Sequence, residues 1–418
     1  MRISTSQYLS MNVQTMDNQQ SELTQLYGEI SSGVSLSTPA DNPLGAAQAV
    51  QLSMQGAALS QYSSNQSSAL TALQSEDSTL QSVTSTLQSV NSQLLSAGNP
   101  TLNDTNRSAI AATLQQLNTS LMTLANTKSP SGNYLFGGFQ SASQPFTQNS
   151  AGTVVYNGDN GVSTTQIADT SSVATNDSGQ SVFMSVTPQT ASPVAYAAAG
   201  NTGTGVIGPV STTNAAASAT ADTYGITFSM AGTPAVLSYT VSDVTNPATP
   251  APTPQPYTAG SAITLGTSGE SVSITGTPAA GDAFTVTPAA QVPASQGGTN
   301  IFATIQNMIT ALQTPADTPA AAAALTNSLN VGLTQVQNTL SNVTTVLASV
   351  GGRENQIQAM QTVNQNQTLQ NTSSLADLTD TNMASTISKY TQTQYSLQAS
   401  QQAFVQVQQM SLFQYLNQ

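Results

Sequence analysis

The sequence contains no cysteine and no histidine among its 418 residues. These absences exclude disulfides, thiolate nucleophiles, histidine general bases and nearly every kind of zinc site. Tryptophan is also missing, and charged residues make up only 6% of the chain, well below the usual quarter. We therefore expect a protein that is not an enzyme and that holds no cofactor or metal.

Basic residues are scarce: five Lys and Arg stand against 18 Asp and Glu, for a formal net charge of -13. Binding to nucleic acid or to an anionic membrane needs clustered cations, so neither partner is expected. No segment approaches the ~20 apolar residues of a membrane span, which predicts no membrane insertion. Residues 3–20 are mostly polar and hold no apolar core of a signal peptide, so we expect no cleaved leader.

The remaining candidates for chemistry are weak. The closest carboxylates, such as Glu76 with Asp77, are expected on polar helix surfaces, whereas paired acids in glycosidases need a cleft. The Gly137-Gly138 pair lacks the helix start and the lysine of a phosphate loop. A turn is therefore the favoured interpretation of these glycines.

Apolar residues recur at three- and four-residue spacing at both ends of the chain, which is typical of helices that pair with other helices. The N-terminal stripe, interrupted by Gln20, consists of Leu9, Val13, Met16, Leu23, Tyr27 and Ile30. The C-terminal stripe consists of Met383, Ile387, Tyr390, Leu397, Phe404, Val407, Leu412 and Leu416. Each stripe is too narrow to form a core alone, so each needs a partner helix, first of all the other end of the chain.

Helical spacing also predicts long helices at about 43–97 and 104–127, and again at 301–312 and from 325 to 369. Between them, short β-like runs alternate with Gly, Asn-Gly and Pro turns. These runs are residues 153–156, 182–186, 226–230, 236–241, 272–275 and 283–287. A Pro-rich segment at 247–256 is predicted to be extended, and 189–222 to be loose.

The predicted fold class is α+β: an elongated rod of long antiparallel helices built from both termini, with an inserted all-β domain at the far end. Residues 1–40 and 370–418 are predicted to be terminal helices of an inner assembly domain, disordered in the monomer. Residues 41–140 and 300–369 would form the helical rod domain, and residues 141–299 an outward-facing β domain.

Two interpretations of the terminal stripes are open: a coiled coil within one chain, or an interface between neighbouring copies. Each buried Leu or Phe stabilises by about 1.5–3 kcal/mol, while fixing the backbone costs on the order of 1 kcal/mol per residue. A single pair of such helices is then marginal, and lateral contacts in an assembly would stabilise it. The Gln, Ser, Thr and Asn side chains around the stripes can be buried there without stranding ions.

Several motifs resemble those of bacterial flagellins and their relatives. They are Met1-Arg-Ile-Ser4, the Pro39-Ala-Asp-Asn-Pro43 that follows Ser32-Gly33, and the C-terminal Leu412-Phe-Gln-Tyr-Leu416. Within that superfamily the chain is similar to the hook-associated proteins of the hook–filament junction. That similarity is carried by Asn133-Tyr-Leu-Phe-Gly-Gly138, Tyr156-Asn-Gly-Asp159 and Gly281-Asp-Ala-Phe-Thr-Val286. The chain departs from flagellins at Val34-Ser-Leu-Ser37, where those proteins usually carry basic residues.

The resemblance implies a secreted, extracellular subunit of the bacterial flagellum, exported by the flagellar type III apparatus. Copies of the chain would form a ring between the other hook–filament junction protein and flagellin. Terminal helices would line the inner tube, and a cytosolic flagellar export chaperone would hold about 373–418 before export. The alternatives are a filament flagellin, or a secreted adhesin or hydrolase that uses the β region.

Overall fold

The computed structural model describes residues 5–36, 38–40, 42–150, 152–187, 191–212, 222–247, 252–266 and 269–416; within these, the side chains of residues 5, 6, 8, 9 and 409–416 are left undescribed. The chain divides into two compact units. The terminal unit comprises Met1–Ser64 and Met360–Gln418, and the central unit comprises Asn65–Ala359.

Long helices come from both ends of the sequence, as predicted. The helices are α1 Thr5–Ser32, α2 Pro43–Ala97, α3 Asp104–Ala125, α4 Gly179–Phe183, α5 Ile301–Gln313, α6 Pro319–Thr379 and α7 Met383–Leu416. Proline opens both of the longest helices, because its fixed φ suits the first helical position and its missing N–H is not needed there. In the described part of the chain, none of these helices has an apolar stretch long enough to cross a membrane.

The inserted region is rich in antiparallel β-structure. Its strands are β1 Phe146–Gln148, β2 Val154–Tyr156, β3 Thr164–Ala168, β4 Ser171–Ala174, β5 Val194–Ala197, β6 Val206–Ile207, β7 Ser211–Thr212, β8 Tyr224–Ala231, β9 Val236–Asp243, β10 Gln255–Pro256, β11 Ala262–Leu265, β12 Glu270–Thr275 and β13 Ala283–Thr287. A five-stranded sheet has the order β10-β9-β8-β13-β5, and β12 pairs with β11, β6 and β7. Two hairpins, β1-β2 and β3-β4, complete the region.

Alternating side chains from the five-stranded sheet and from β12 with its neighbours make one apolar core. On β8 the buried residues are Tyr224, Ile226 and Phe228, and on β12 they include Val272 and Ile274. This period of two is what a strand with one buried face requires. The predicted strands at 226–230, 236–241, 272–275 and 283–287 are therefore confirmed.

Two predictions for this region are wrong. Residues 182–186 were expected to form a strand, but Val182 and Phe183 lie on helix α4. The Ser178 side chain accepts a hydrogen bond from the Ser181 N–H at 3.2 Å and so caps that helix. The 189–222 segment was expected to be loose, yet β5, β6 and β7 lie in its described part; residues 189, 190 and 213–221 lie outside the description.

Buried amide side chains on α6 fix the β region to the helix within the central unit. Asn338 pairs with both backbone groups of Ser192: its Nδ2 donates to the carbonyl and its Oδ1 accepts from the N–H, each at 2.8 Å. Asn327 Nδ2 donates to the Gly205 carbonyl at 2.9 Å, and its Oδ1 accepts from Ile207 N–H at 2.9 Å. Asparagine side chains can make these contacts because an amide carries both a donor and an acceptor, so it can bond to backbone groups that a neighbouring strand would otherwise pair with.

Candidate assembly surface of the terminal helices

Helices α1 and α7 lie antiparallel in the terminal unit. Their near ends are joined by backbone hydrogen bonds, from Ser35 N–H to the Thr379 carbonyl at 2.8 Å and from Thr381 N–H to the Gly33 carbonyl at 2.9 Å. Farther along, Gln19 Nε2 donates to Ser396 Oγ at 2.9 Å. The two ends of the sequence are therefore partners of each other within one chain.

The faces that α1 and α7 turn inward follow a heptad spacing. On α1 the covered or half-covered positions are Asn12, Met16, Gln19, Leu23, Leu26 and Ile30. On α7 they are Thr386, Tyr390, Thr393, Leu397, Ser400, Phe404 and Val407. Among the described large apolar side chains of α1 and α7, only Leu26 and Leu397 are buried, so the described contact is polar for much of its length.

The predicted stripe on α1 is rotated relative to the face that packs. Leu26, which the sequence reasoning missed, is 7% exposed, whereas its predicted neighbour Tyr27 is 64% exposed. Val13 lies 14 residues before Tyr27 and is also exposed, so both belong to one flank of the helix. Met16, Leu23 and Ile30 are half-buried as that rotation requires.

The C-terminal stripe is divided in the same way. Tyr390, Leu397, Phe404 and Val407 lie on the covered side, while Met383 and Ile387 are exposed. The side chains of Leu9, Leu412 and Leu416 lie outside the description. The structure therefore brings part of the predicted set together within the chain and leaves another part on the surface.

The terminal unit also contains a second antiparallel contact, between α2 and α6. Asn364 Nδ2 donates to the Leu59 carbonyl at 3.0 Å, and Asn371 Nδ2 donates to the Leu52 carbonyl at 2.9 Å. The equal seven-residue steps in opposite directions establish that the helices are antiparallel. Gly56 lets the helices approach closely here, because a Cβ at this position would lie 2.9 Å from Asn371 Nδ2.

Large apolar side chains are concentrated on the surface of the terminal unit. Most of the exposed ones in the described chain belong to it, namely Met11, Val13, Tyr27, Leu44, Val50, Met54, Val363, Leu369, Met383, Ile387, Tyr395 and Val405. The described ionisable groups around them are few, and Lys389 is the single described cation of this unit. A surface that is apolar and nearly free of charge can be buried by another chain without a large desolvation cost.

The motifs that carried the family resemblance meet in the central unit. Gly138 has a φ of +67°, and its backbone approaches Asp159 so closely that a Cβ would collide with the carboxylate and carbonyl oxygens. Asp159 Oδ1 accepts hydrogen bonds from Phe139 N–H at 2.8 Å and from Gly161 N–H at 2.7 Å. Residues 133–139 and 156–159 are therefore two halves of one local structure.

Phenylalanine rings form the core beside this local structure. Phe183 packs edge-on against Phe136 at a centroid distance of 5.2 Å and against Phe146 at 5.4 Å, and it lies 5.8 Å from Phe302. The Tyr156 hydroxyl lies within hydrogen-bond distance of the carbonyl oxygens of Phe136 and Asp159, at 3.0 and 2.7 Å respectively, and these two acceptors share its one proton. Burial raises the pKa of Tyr156 further above neutral pH.

The described side chains offer no arrangement for metal binding, since no three His, Cys, Asp or Glu groups among them converge. The third family motif has a structural role instead. Asp282 is 2% exposed and accepts backbone hydrogen bonds from Thr202 at 2.8 Å, Gly203 at 3.1 Å and Ala279 at 2.8 Å. This carboxylate closes the turn that leads into β13.

Comparison with known proteins supports the same family. The sequence profile of the bacterial flagellin N-terminal helical region matches residues 3–141. Flagellar hook-associated protein 3 of Escherichia coli K12 is 27% identical over 419 residues, which is 99% of each chain. The crystal structure of flagellar hook-associated protein 3 from Legionella pneumophila matches with a TM-score of 0.70 and 29% identity, over 78% of this chain and 98% of that one.

The chain is similar over nearly its full length to flagellar hook-associated protein 3, and its N-terminal part is similar to the flagellin helical region. A second Legionella pneumophila structure, described as the flagellar junction protein FlgL, has a TM-score of 0.67 and 28% identity over 80% of this chain and 100% of that one. The predicted resemblance, the fold of terminal helices with an inserted β-rich region, and the adaptor function are confirmed. The junction protein is favoured over the filament flagellin and adhesin alternatives.

Proposed function

We propose that this hook-associated protein 3 relative joins the hook side of the flagellum to the flagellin filament, as one ring of identical subunits outside the cell. The exposed apolar flank of α1 and α7 would be the surface on which neighbouring copies pack. The supporting observation is that Tyr27, Val13 and Ile387 are exposed in a chain whose α1–α7 contact is already formed.

The finer parts of the proposal come from the family resemblance. Export through the flagellar type III apparatus is compatible with a chain that has no cysteine to cross-link it. The other hook–filament junction protein, flagellin and a cytosolic export chaperone on about 373–418 are the proposed partners. The role is structural, and no reaction is proposed for any of its side chains. The division into an inner assembly domain, a rod and an outward β domain also remains a proposal.

The test separates folding from assembly by comparing two exposed positions. Tyr27→Asp places a charge on the flank of α1, while Met230→Asp makes a similar change on β8, where the side chain is 56% exposed. Exposed substitutions of this kind usually change the unfolding free energy by no more than about 0.5 kcal/mol. Both variants should therefore give the circular dichroism spectrum and urea midpoint of the wild-type chain.

Only the Tyr27→Asp variant should fail in the cell. In a strain that lacks the native gene, we expect it to give no swimming zone in soft agar and no subunit in purified flagella, whereas Met230→Asp should restore both. Normal incorporation of the Tyr27→Asp subunit would contradict the proposed surface. Hooks that carry filaments in the uncomplemented strain would contradict the junction role itself.

A further inference from the structure

Three ionisable groups from three separate elements meet inside the central unit, away from the assembly surface. Glu76 lies on α2 and is 1% exposed, Asp177 lies in the segment between β4 and α4, and Arg353 lies on α6. Arg353 forms an ion pair with Asp177 through Nη2, and its Nη1 donates to the Ala174 carbonyl at 3.3 Å. The Asp177 N–H donates to Glu76 Oε1 at 3.1 Å.

We propose that Glu76, Asp177 and Arg353 form a proton-controlled latch, which holds the segment before α4 between α2 and α6 while Glu76 is protonated and loosens it when Glu76 ionises. The geometry gives the reason. One guanidinium faces two carboxylates and is already paired with Asp177. The second oxygen of Glu76, Oε2, is buried and has no hydrogen-bond partner, so a negative charge there would be uncompensated.

The burial of Glu76 and the charges around it also favour the protonated, neutral form of its carboxyl group. Burial, followed by the negative charge of Asp177, raises the pKa of Glu76 from 4.5 to about 8, although Arg353 acts in the opposite direction. The next residues along both helices, Asp77 and Glu354, bring further acids: burial and then Asp77 raise the pKa of Glu354.

The latched segment is connected to the core of the unit. Ser178, directly after Asp177, caps α4, and α4 carries Phe183 into the aromatic cluster. The β3-β4 hairpin before it is held to α2 by Gln66, whose Nε2 donates to the Ile167 carbonyl at 2.7 Å. If the contacts of Asp177 loosen, we therefore expect residues 174–183 to open first, because this segment lies between the β3-β4 hairpin and α4, which are both held in place.

The direction of the pH effect follows from proton binding. Because the pKa of Glu76 is higher in the folded than in the unfolded chain, the folded state binds more protons between pH 4.5 and about 8. The stabilisation is complete below the unfolded pKa and is lost as the pH rises through the folded one. A difference of one proton makes the opening equilibrium constant rise tenfold per pH unit in the steepest part of this range.

Hydrogen exchange of the full-length chain, followed by mass spectrometry at pH 6, 7, 8 and 9, tests the latch. After correction for intrinsic exchange rates, protection of peptides from 174–183 should fall by up to tenfold per pH unit toward pH 8 and then level off. Glu76→Gln, which carries a neutral side chain of the same shape, should remove this dependence. Glu22→Gln, the same change at an exposed position of α1, should leave it intact. Equal pH profiles for the wild-type chain and Glu76→Gln would overturn the proposal.

A second measurement needs no substitution. The chain has five glutamates, and ¹³C labelling of their side-chain carboxyls allows each to be titrated in the folded protein. One carboxyl should titrate above pH 7. If all five titrate below pH 6, Glu76 is ionised throughout the working range and the latch does not exist.

Discussion

Replacing Gly138 by alanine should unfold the local structure that carries the family motif. Gly138 has a φ of +67°, a conformation that costs a residue with a Cβ roughly 1–2 kcal/mol. The added methyl group would also collide with Asp159, whose carboxylate and carbonyl both approach the glycine. The backbone effect and the collision therefore act together at this one position.

The expected loss of unfolding free energy follows from the hydrogen bonds that Asp159 would lose. Moving its carboxylate breaks the hydrogen bonds from Phe139 N–H and Gly161 N–H, and bonds to a charged acceptor contribute about 1.5–3 kcal/mol each. Losing one of them in addition to the backbone cost gives an expected loss of about 2.5–5 kcal/mol. A second glycine, Gly132, separates the two effects, because its φ is +88° but nothing lies within 4 Å of an added Cβ. Gly132→Ala should lose only about 1–2 kcal/mol.

Urea unfolding of the two variants and the wild-type chain measures this difference. Tyrosine circular dichroism in the near ultraviolet reports on the region, since the Tyr156 hydroxyl contacts the Phe136 and Asp159 carbonyls and the chain has no tryptophan. The Gly138→Ala midpoint should lie clearly below that of Gly132→Ala. Equal midpoints would refute the reasoning, because they would mean that the contact with Asp159 adds nothing to the backbone cost.

Two other substitutions in the central unit test the packing and the turn chemistry. Phe183→Ala should lower the unfolding free energy by about 3–5 kcal/mol, because it leaves a cavity among three rings. The control Phe139→Ala, at a 69% exposed position, should lower it by less than about 1 kcal/mol. Equal urea midpoints for the two variants would contradict this prediction. Asp282→Ala should cost about 3 kcal/mol, because backbone N–H groups lose a buried acceptor. Asp243→Ala, at the half-exposed end of β9, serves as its control in thermal unfolding. A wild-type midpoint for Asp282→Ala would show that solvent replaces the carboxylate.

The prediction that the two ends of the chain pair was correct, but the predicted apolar stripe on α1 is rotated relative to the face that packs against α7. Leu26 and Tyr27 are adjacent, and both fit a three–four spacing with Leu23 and Ile30. Spacing along one helix defines an apolar stripe, whereas the partner determines which edge of that stripe is covered. The position of α7 buries Leu26 and leaves Tyr27 in solvent.

The predictions for the short helix α4 and the short strands β5 and β6 were wrong for a related reason. The apolar run at 182–186 satisfies a strand pattern, yet Val182 and Phe183 are buried by a one-turn helix that fits beside the aromatic cluster. Strands β5 and β6 are only four and two residues long and gave no signal. They are held by pairing with β13 and β12, which come from about 70 to 90 residues further along the chain.

The sequence by itself determined the long helices, because their apolar spacing extends over many turns and is bounded by proline and glycine. It also determined the low content of charged residues and the lack of cysteine and histidine. Only the tertiary structure decided which apolar residues remain on the surface and that Glu76, expected on a polar helix surface, is buried. Both depend on what neighbouring elements cover, and burial arises from contacts between residues that are far apart in the chain.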